Sequence, residues 1–141
     1  MNQKIALACG ADALALVATW QLSFSESTPK ETSTVSTNIV TIRIPEVQGS
    51  SAQGKLVFDS ACASCHGENA VGIKGVAPPL VHKIYEPSHH GDEAFQRAVA
   101  TGVKSHHWEF GDMPAIRGVT RADVMVVTEY IRELQRANGI H

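Results

Sequence analysis

Two cysteines three positions apart, Cys62 and Cys65, are followed at once by a histidine, His66. On one helical turn, thiols at that spacing reach the same side. They can add to the two vinyl groups of one porphyrin as thioethers. The imidazole that follows then lies under the macrocycle and can ligate its iron through Nε2. C-x-x-C-H is the sequence signal for covalent attachment of a c-type haem. Other uses of C-x-x-C fit less well. A thioredoxin-like pair follows a strand in a βαβ pattern, whereas Ser51 to Ala61 reads as helix. Structural zinc wants a second ligand pair, and no cysteine follows Cys65. A disulfide between residues this close shuts too small a loop to stabilise much.

A haem iron held by one histidine has a second axial position. Met113 is the candidate for it, in the run Gly111-Asp112-Met113-Pro114. A thioether on that face favours the ferrous state and raises the potential. Pro114 stiffens the backbone beside the sulfur. Met113 as a core gap-filler is the competing reading, but Gly, Asp and Pro around it are loop residues. Met1 begins the chain and Met125 falls in a helical run. A histidine on the iron in place of Met113 would lower the potential.

Three helices must hold these groups. The first is expected from Ala52 to Ala61, with Ser50 or Ser51 as N-cap. Gly54, Phe58 and Ala61 share one face of it. Gly67 to Ala77 is glycine-rich and reads as loop, ending in an extended Pro78-Pro79-Leu80. The second helix is expected from Asp92 to Thr101, with Phe95 and Val99 as its buried pair and Gly102 as its stop. The last begins at Thr120. Thr120 and Asp123 form a capping-box pattern with Asp in place of Glu. Val124, Val127, Ile131 and Leu134 make one apolar stripe, and Gly139 closes the helix.

The chain has 141 residues and a formal net charge of −2, which gives no pointer to nucleic acid or to an anionic surface. Residues 1–24 read as a signal peptide or an N-terminal membrane anchor. Lys4 precedes an apolar stretch from Ile5 to Trp20 that is long for a signal core and short for a spanning helix. Asp12 within it would cost about 2.5–3.5 kcal/mol at mid-membrane. A lipoprotein role for Cys9 is weaker, with few apolar residues before it. Residues 25–50 read as a polar linker rich in Ser, Thr and Glu. Its end, Ile39 to Ile44, alternates enough for a short strand but has no partner strand, so an extended arm is expected. Residues 51–141 form the haem domain.

From about residue 52 to 138 the chain resembles a class I c-type cytochrome of the bacterial mono-haem kind. The resemblance rests on a helix ending in C-x-x-C-H-G, a Pro-x-Leu element, a Met-Pro loop, and a last helix carrying Tyr130-Ile131-Arg132-Glu133-Leu134. It implies an all-α cytochrome c fold, with three main helices wrapped round one covalent haem c. The first and last helices would cross, Gly54 and Phe58 against Tyr130. The resemblance also implies that the Pro78 carbonyl accepts a hydrogen bond from Nδ1 of His66, fixing its tautomer.

The expected function is single-electron transfer in the periplasm through a His66/Met113-ligated iron. The partners would be electron donor and acceptor proteins and the haem maturation machinery, with no nucleic acid and with a membrane tether through an uncleaved N-terminus as one option. An alternative is an enzyme subunit whose distal Met leaves and admits peroxide or a small gas. His82, His89, His90, His106, His107 and His141 lie beyond the iron ligand. They read as surface polar residues, as a docking or propionate-binding surface, or as a second metal site for copper or zinc. Neighbouring histidines do not easily turn both rings to one ion, so a metal would draw one ring from each pair. Trp108 reads as packing near a haem edge.

Overall fold

A computed structural model describes residues 37–141. The stretch from Ile5 to Trp20, and with it the expected signal or anchor, lies outside the described residues. Helix α1 spans Gly49–Ala61, and α2 is a single turn, Ala63–His66. Helix α3 spans Asp92–Thr101 and α4 spans Arg121–Ala137. Short 3₁₀ turns lie at Glu68–Ala70 and Lys83–Tyr85. The only β pairing among the described residues is in isolated bridges. None of the described helices is long and apolar enough to cross a membrane.

The crossing of α1 and α4 builds the core. Phe58, Tyr130, Ile131 and Leu134 are essentially fully buried, with Leu80, Val81 and Val127 around them. Each such side chain contributes roughly 1.5–3 kcal/mol by leaving water. The rings of Phe58 and Tyr130 lie 5.7 Å apart in a tilted pair. Gly54 permits the close approach: a Cβ there would fall 1.9 Å from the Val126 carbonyl oxygen. The expected contact of Gly54 and Phe58 with Tyr130 is therefore present.

Two details differ from the sequence expectations. The first helix begins at Gly49, three residues early, and its N-cap Gln48 makes no side-chain capping bond. Neither expected serine caps it: the Ser50 hydroxyl bonds Glu129 across the crossing, and Ser51 is buried inside the first turn. Residues 39–44 form no strand, in line with the extended arm expected there; the segment runs against the domain, with the Ile39 and Val40 N–H groups donating to the Val71 carbonyl at 3.3 Å. The Arg43 guanidinium bonds the Ala137 carbonyl at the end of α4, and its N–H donates to Asn138. Finally, Phe95 and Val99 of α3 are only half-buried, because they face a cavity and not a core.

Helix α4 starts on the expected capping box. The Asp123 N–H donates to Thr120 Oγ1 at 3.2 Å, and the Thr120 N–H donates to Asp123 Oδ2 at 2.9 Å. Its inner face carries three buried polar residues among the apolar ones: Thr128, whose hydroxyl donates back to the Val124 carbonyl, and Arg132 and Gln135. Arg132 donates to the Tyr85 carbonyl at 2.6 Å, to Gln135 at 2.7 Å, to Asp92 at 3.0 Å and to the His90 carbonyl. Gln135 donates to the Leu80 and Tyr85 carbonyls. Two side chains of one helix thus hold the loop between Leu80 and α3.

Candidate haem site

The attachment motif is shaped by the junction of α1 and α2. The helix breaks at Cys62, and the chain resumes as one turn. Cys62 carbonyl accepts from the N–H of Cys65 at 3.1 Å and of His66 at 3.0 Å. That turn brings both sulfurs and the imidazole to the wall of one cavity of about 610 Å³, within the usual range for small-molecule and cofactor sites. Pro78 and Met113 line the same cavity, so all five residues singled out in the sequence meet there. Its remaining walls are largely apolar: Phe58, Leu80 and Val76 on one part, Phe95, Val99 and Ile131 on another.

His66 is oriented by its neighbour. Its Nδ1 lies 2.9 Å from the Pro78 carbonyl. A carbonyl only accepts, so Nδ1 carries the proton and Nε2 keeps a lone pair. Burial pushes the imidazole pKa down, and the Pro78 bond opposes this in part. A neutral ring with a free Nε2 is the ligating form. Burial also pushes the Cys62 thiol up to about 11, with Cys65 adding to the rise. A wall that disfavours a thiolate suits a thioether, which carries no charge.

Met113 is placed by a closed loop. Val103 and Met113 exchange backbone hydrogen bonds of 2.9 and 3.0 Å. Between them, Asp112 accepts from the Ser105 N–H at 2.9 Å and from Lys104 Nζ at 2.5 Å. Gly102 makes the entry to this loop possible. Its φ of 78° and ψ of 179° belong to a region open essentially to glycine. A Cβ there would stand 2.5 Å from the Met113 carbonyl oxygen. The return from the motif is also strained. Asn69 and Ala70 both have positive φ, 54° and 61°. The Tyr130 hydroxyl donates to Asn69 Oδ1 at 2.9 Å, and the Leu80 N–H donates to the Ala70 carbonyl at 2.8 Å. The core tyrosine of α4 thus anchors the loop that follows His66.

Trp108 gives an independent test of fit. Its ring stacks on Phe110 with centroids 5.7 Å apart and meets His82 edge-on at 5.2 Å. Its indole N–H is buried without a hydrogen-bond partner. Burial pushes the Tyr85 phenol up and the Trp108 N–H pulls it back, but the approach falls short of an aligned bond. An unpaired buried donor costs about 1–3 kcal/mol. Trp108 lines the cavity, and a haem carboxylate would supply the missing acceptor. The residues present therefore fit the group: two thiols, a neutral imidazole, a thioether, apolar walls and one waiting donor.

The cytochrome c family model matches residues 51–135. The chain belongs to the cytochrome c family. As a cytochrome c it carries covalent haem and transfers electrons. It is 35% identical over 86 residues to the Cbb3-type cytochrome c oxidase subunit CcoP of Cereibacter sphaeroides. That match covers 60% of this chain but only 27% of the oxidase subunit, so the chain spans a minor part of that relative. No solved structure matches this cytochrome.

Proposed function

We propose that this cytochrome is an exported one-electron carrier with a single haem, attached at Cys62 and Cys65 and held axially by His66 and Met113. The observation that carries this reading is the convergence of those four side chains on one cavity. Bound haem c supplies a one-electron couple at its iron. The chain's own residues set how that couple behaves. Pro78 holds the His66 ring in one tautomer, which raises its basicity as a ligand. The Val103–Met113 pairing and Asp112 fix the loop that offers the thioether. Apolar walls exclude water and keep the dielectric low. Cys65 and Val76 are exposed at the cavity lip, Val76 by 48%. An apolar lip is where a partner would approach, and because the charges round the cavity, Arg97, Lys104 and Asp112, are of both signs, docking should depend weakly on salt.

Similarity to an oxidase haem subunit favours one setting for this carrier: electron delivery inside or towards a membrane oxidase assembly. In that setting residues 1–24 would serve as export signal or membrane anchor and residues 25–50 as linker, with the domain on the periplasmic side. The ligand assignment is tested by Met113→Ala in the haem-matured protein. The midpoint potential should fall, and carbon monoxide should bind the reduced form rapidly. An unchanged potential with no gas binding would contradict the assignment.

A further inference from the structure

Four histidines outside the attachment motif gather at one edge of the haem cavity. His89 and His90 lie between the Lys83–Tyr85 turn and α3, while His106 and His107 belong to the loop that ends at Met113. Sequence reasoning allowed one ring from each adjacent pair to reach a shared ion. The structure corrects this: ligand nitrogens of His89, His90 and His107 all lie within 4.8 Å of one another. His89 Nε2 and His107 Nε2 are 3.2 Å apart. In a tetrahedral site with metal–nitrogen bonds of about 2.0–2.1 Å, ligand nitrogens stand about 3.3 Å from each other. One edge of such a site is already formed.

One of the three rings, His90, is also oriented as a ligand is, and the neighbouring His106 is held in the same way. His90 Nδ1 donates to the Ile84 carbonyl at 2.7 Å, leaving Nε2 as its lone-pair nitrogen. His106 Nδ1 donates in the same way to the Lys104 carbonyl at 2.8 Å, with its ring 4.3 Å from that of His107. Carbonyls in this role fix the tautomer of metal-bound histidines. The His107 pKa is lowered by local desolvation and then by repulsion from His106, His90 and His89. Among the described residues no carboxylate forms an ion pair with any of these rings. A cluster of imidazoles suits zinc and copper, with copper(II) bound more tightly.

We propose that His89, His90 and His107 form a binding site for a divalent metal ion of the zinc–copper class, bridging two loops of the haem cavity wall. One loop carries Met113, so the ion pins the iron-side loop to the segment that Arg132 holds against α4. None of the three ligands is one of the proposed iron ligands His66 and Met113, so the proposal does not depend on the axial assignment.

Calorimetric titration of the haem-matured protein with zinc(II) alone tests this. One equivalent should bind, copper(II) should displace it, and zinc should raise the melting temperature. Loss of an outer-shell partner weakens metal sites about 10–100-fold, so removing a ligand by His107→Gln or His89→Gln should weaken this one by at least about 100-fold. His141→Gln, at the exposed C-terminus, should bind as wild type. Both ligand positions are exposed, and an unaltered haem spectrum in each variant would establish intact folding. Absence of stoichiometric uptake, uptake that survives both ligand substitutions, or equal loss in His141→Gln would overturn the proposal. So would a metal-free His107→Gln protein with a changed haem spectrum, because that ring would then serve the iron.

Discussion

Replacing Gly102 by alanine should detach the Met113 loop while leaving the haem in place. The added methyl meets two penalties. The backbone at φ 78° and ψ 179° costs a non-glycine residue about 1–3 kcal/mol. The Cβ would also lie 2.5 Å from the Met113 carbonyl oxygen and 3.1 Å from the Ala115 nitrogen. Both contacts are backbone and cannot swing aside. The loop must open, and the nearest bonds to yield are the two between Val103 and Met113, each worth about 0.5–1.5 kcal/mol net. Local destabilisation of about 2–6 kcal/mol follows, which favours an opened loop. Gly118→Ala is the matched control. Gly118 has φ 82° but open space around its Cβ, so only a conformational cost of about 1–2 kcal/mol applies. Near-infrared absorption of the ferric protein reads the sulfur–iron bond directly, and denaturant unfolding reads stability. Gly102→Ala should lose the sulfur-to-iron charge-transfer band, whereas Gly118→Ala should keep it. A full-strength band and an unchanged midpoint in Gly102→Ala would refute this account of the loop.

Two further outcomes follow. Arg132→Met leaves the His90 carbonyl and Gln135 Oε1 without their buried donor, while the Tyr85 carbonyl keeps Gln135; a loss of about 2–6 kcal/mol in urea unfolding is expected for two orphaned acceptors, and less than about 1 kcal/mol would contradict the network. The Asp112 carboxyl is held below its usual 3.8 by the Lys104 hydrogen bond first, then by the Ser105 N–H and the Lys104 charge. A depressed folded pKa means this stabilisation is complete above 3.8 and is lost as pH falls through the lower folded value. Acid should therefore loosen the Met113 loop, and Asp112→Asn should flatten that dependence; identical acid titrations of the charge-transfer band in the two proteins would contradict it.

The haem-binding logic was legible because the chemistry imposes spacing. Cys62, Cys65 and His66 must occupy one turn, and a Met-Pro loop is short enough to recognise. Helices α3 and α4 were legible from their caps and stripes, since Asp92, Gly102 and the Thr120–Asp123 pair are local signals. The start of α1 was not. Three polar residues precede its apolar face, and Ser50 is drawn to Glu129 of α4, which local reasoning does not reach. The roles of Arg132 and Gln135 were hidden, because nothing nearby in sequence announces the carbonyls they satisfy. Tyr130's bond to Asn69 was hidden for the same reason. The docking of residues 37–48 on the domain depends on Arg43 meeting the end of α4, a contact between segments far apart in the chain. The histidine cluster was visible as composition, but its convergence needed the fold that closes the Met113 loop over the turn before α3.

The most direct test of the central claim is the optical and near-infrared spectrum of the haem-matured protein in both oxidation states. His66/Met113 ligation predicts a low-spin spectrum in each state, with the sulfur-to-iron charge-transfer band in the ferric form. A low-spin spectrum without that band would place a second histidine on the iron, and a high-spin one would leave the site open to small ligands; either would contradict the electron-carrier geometry derived from this cavity.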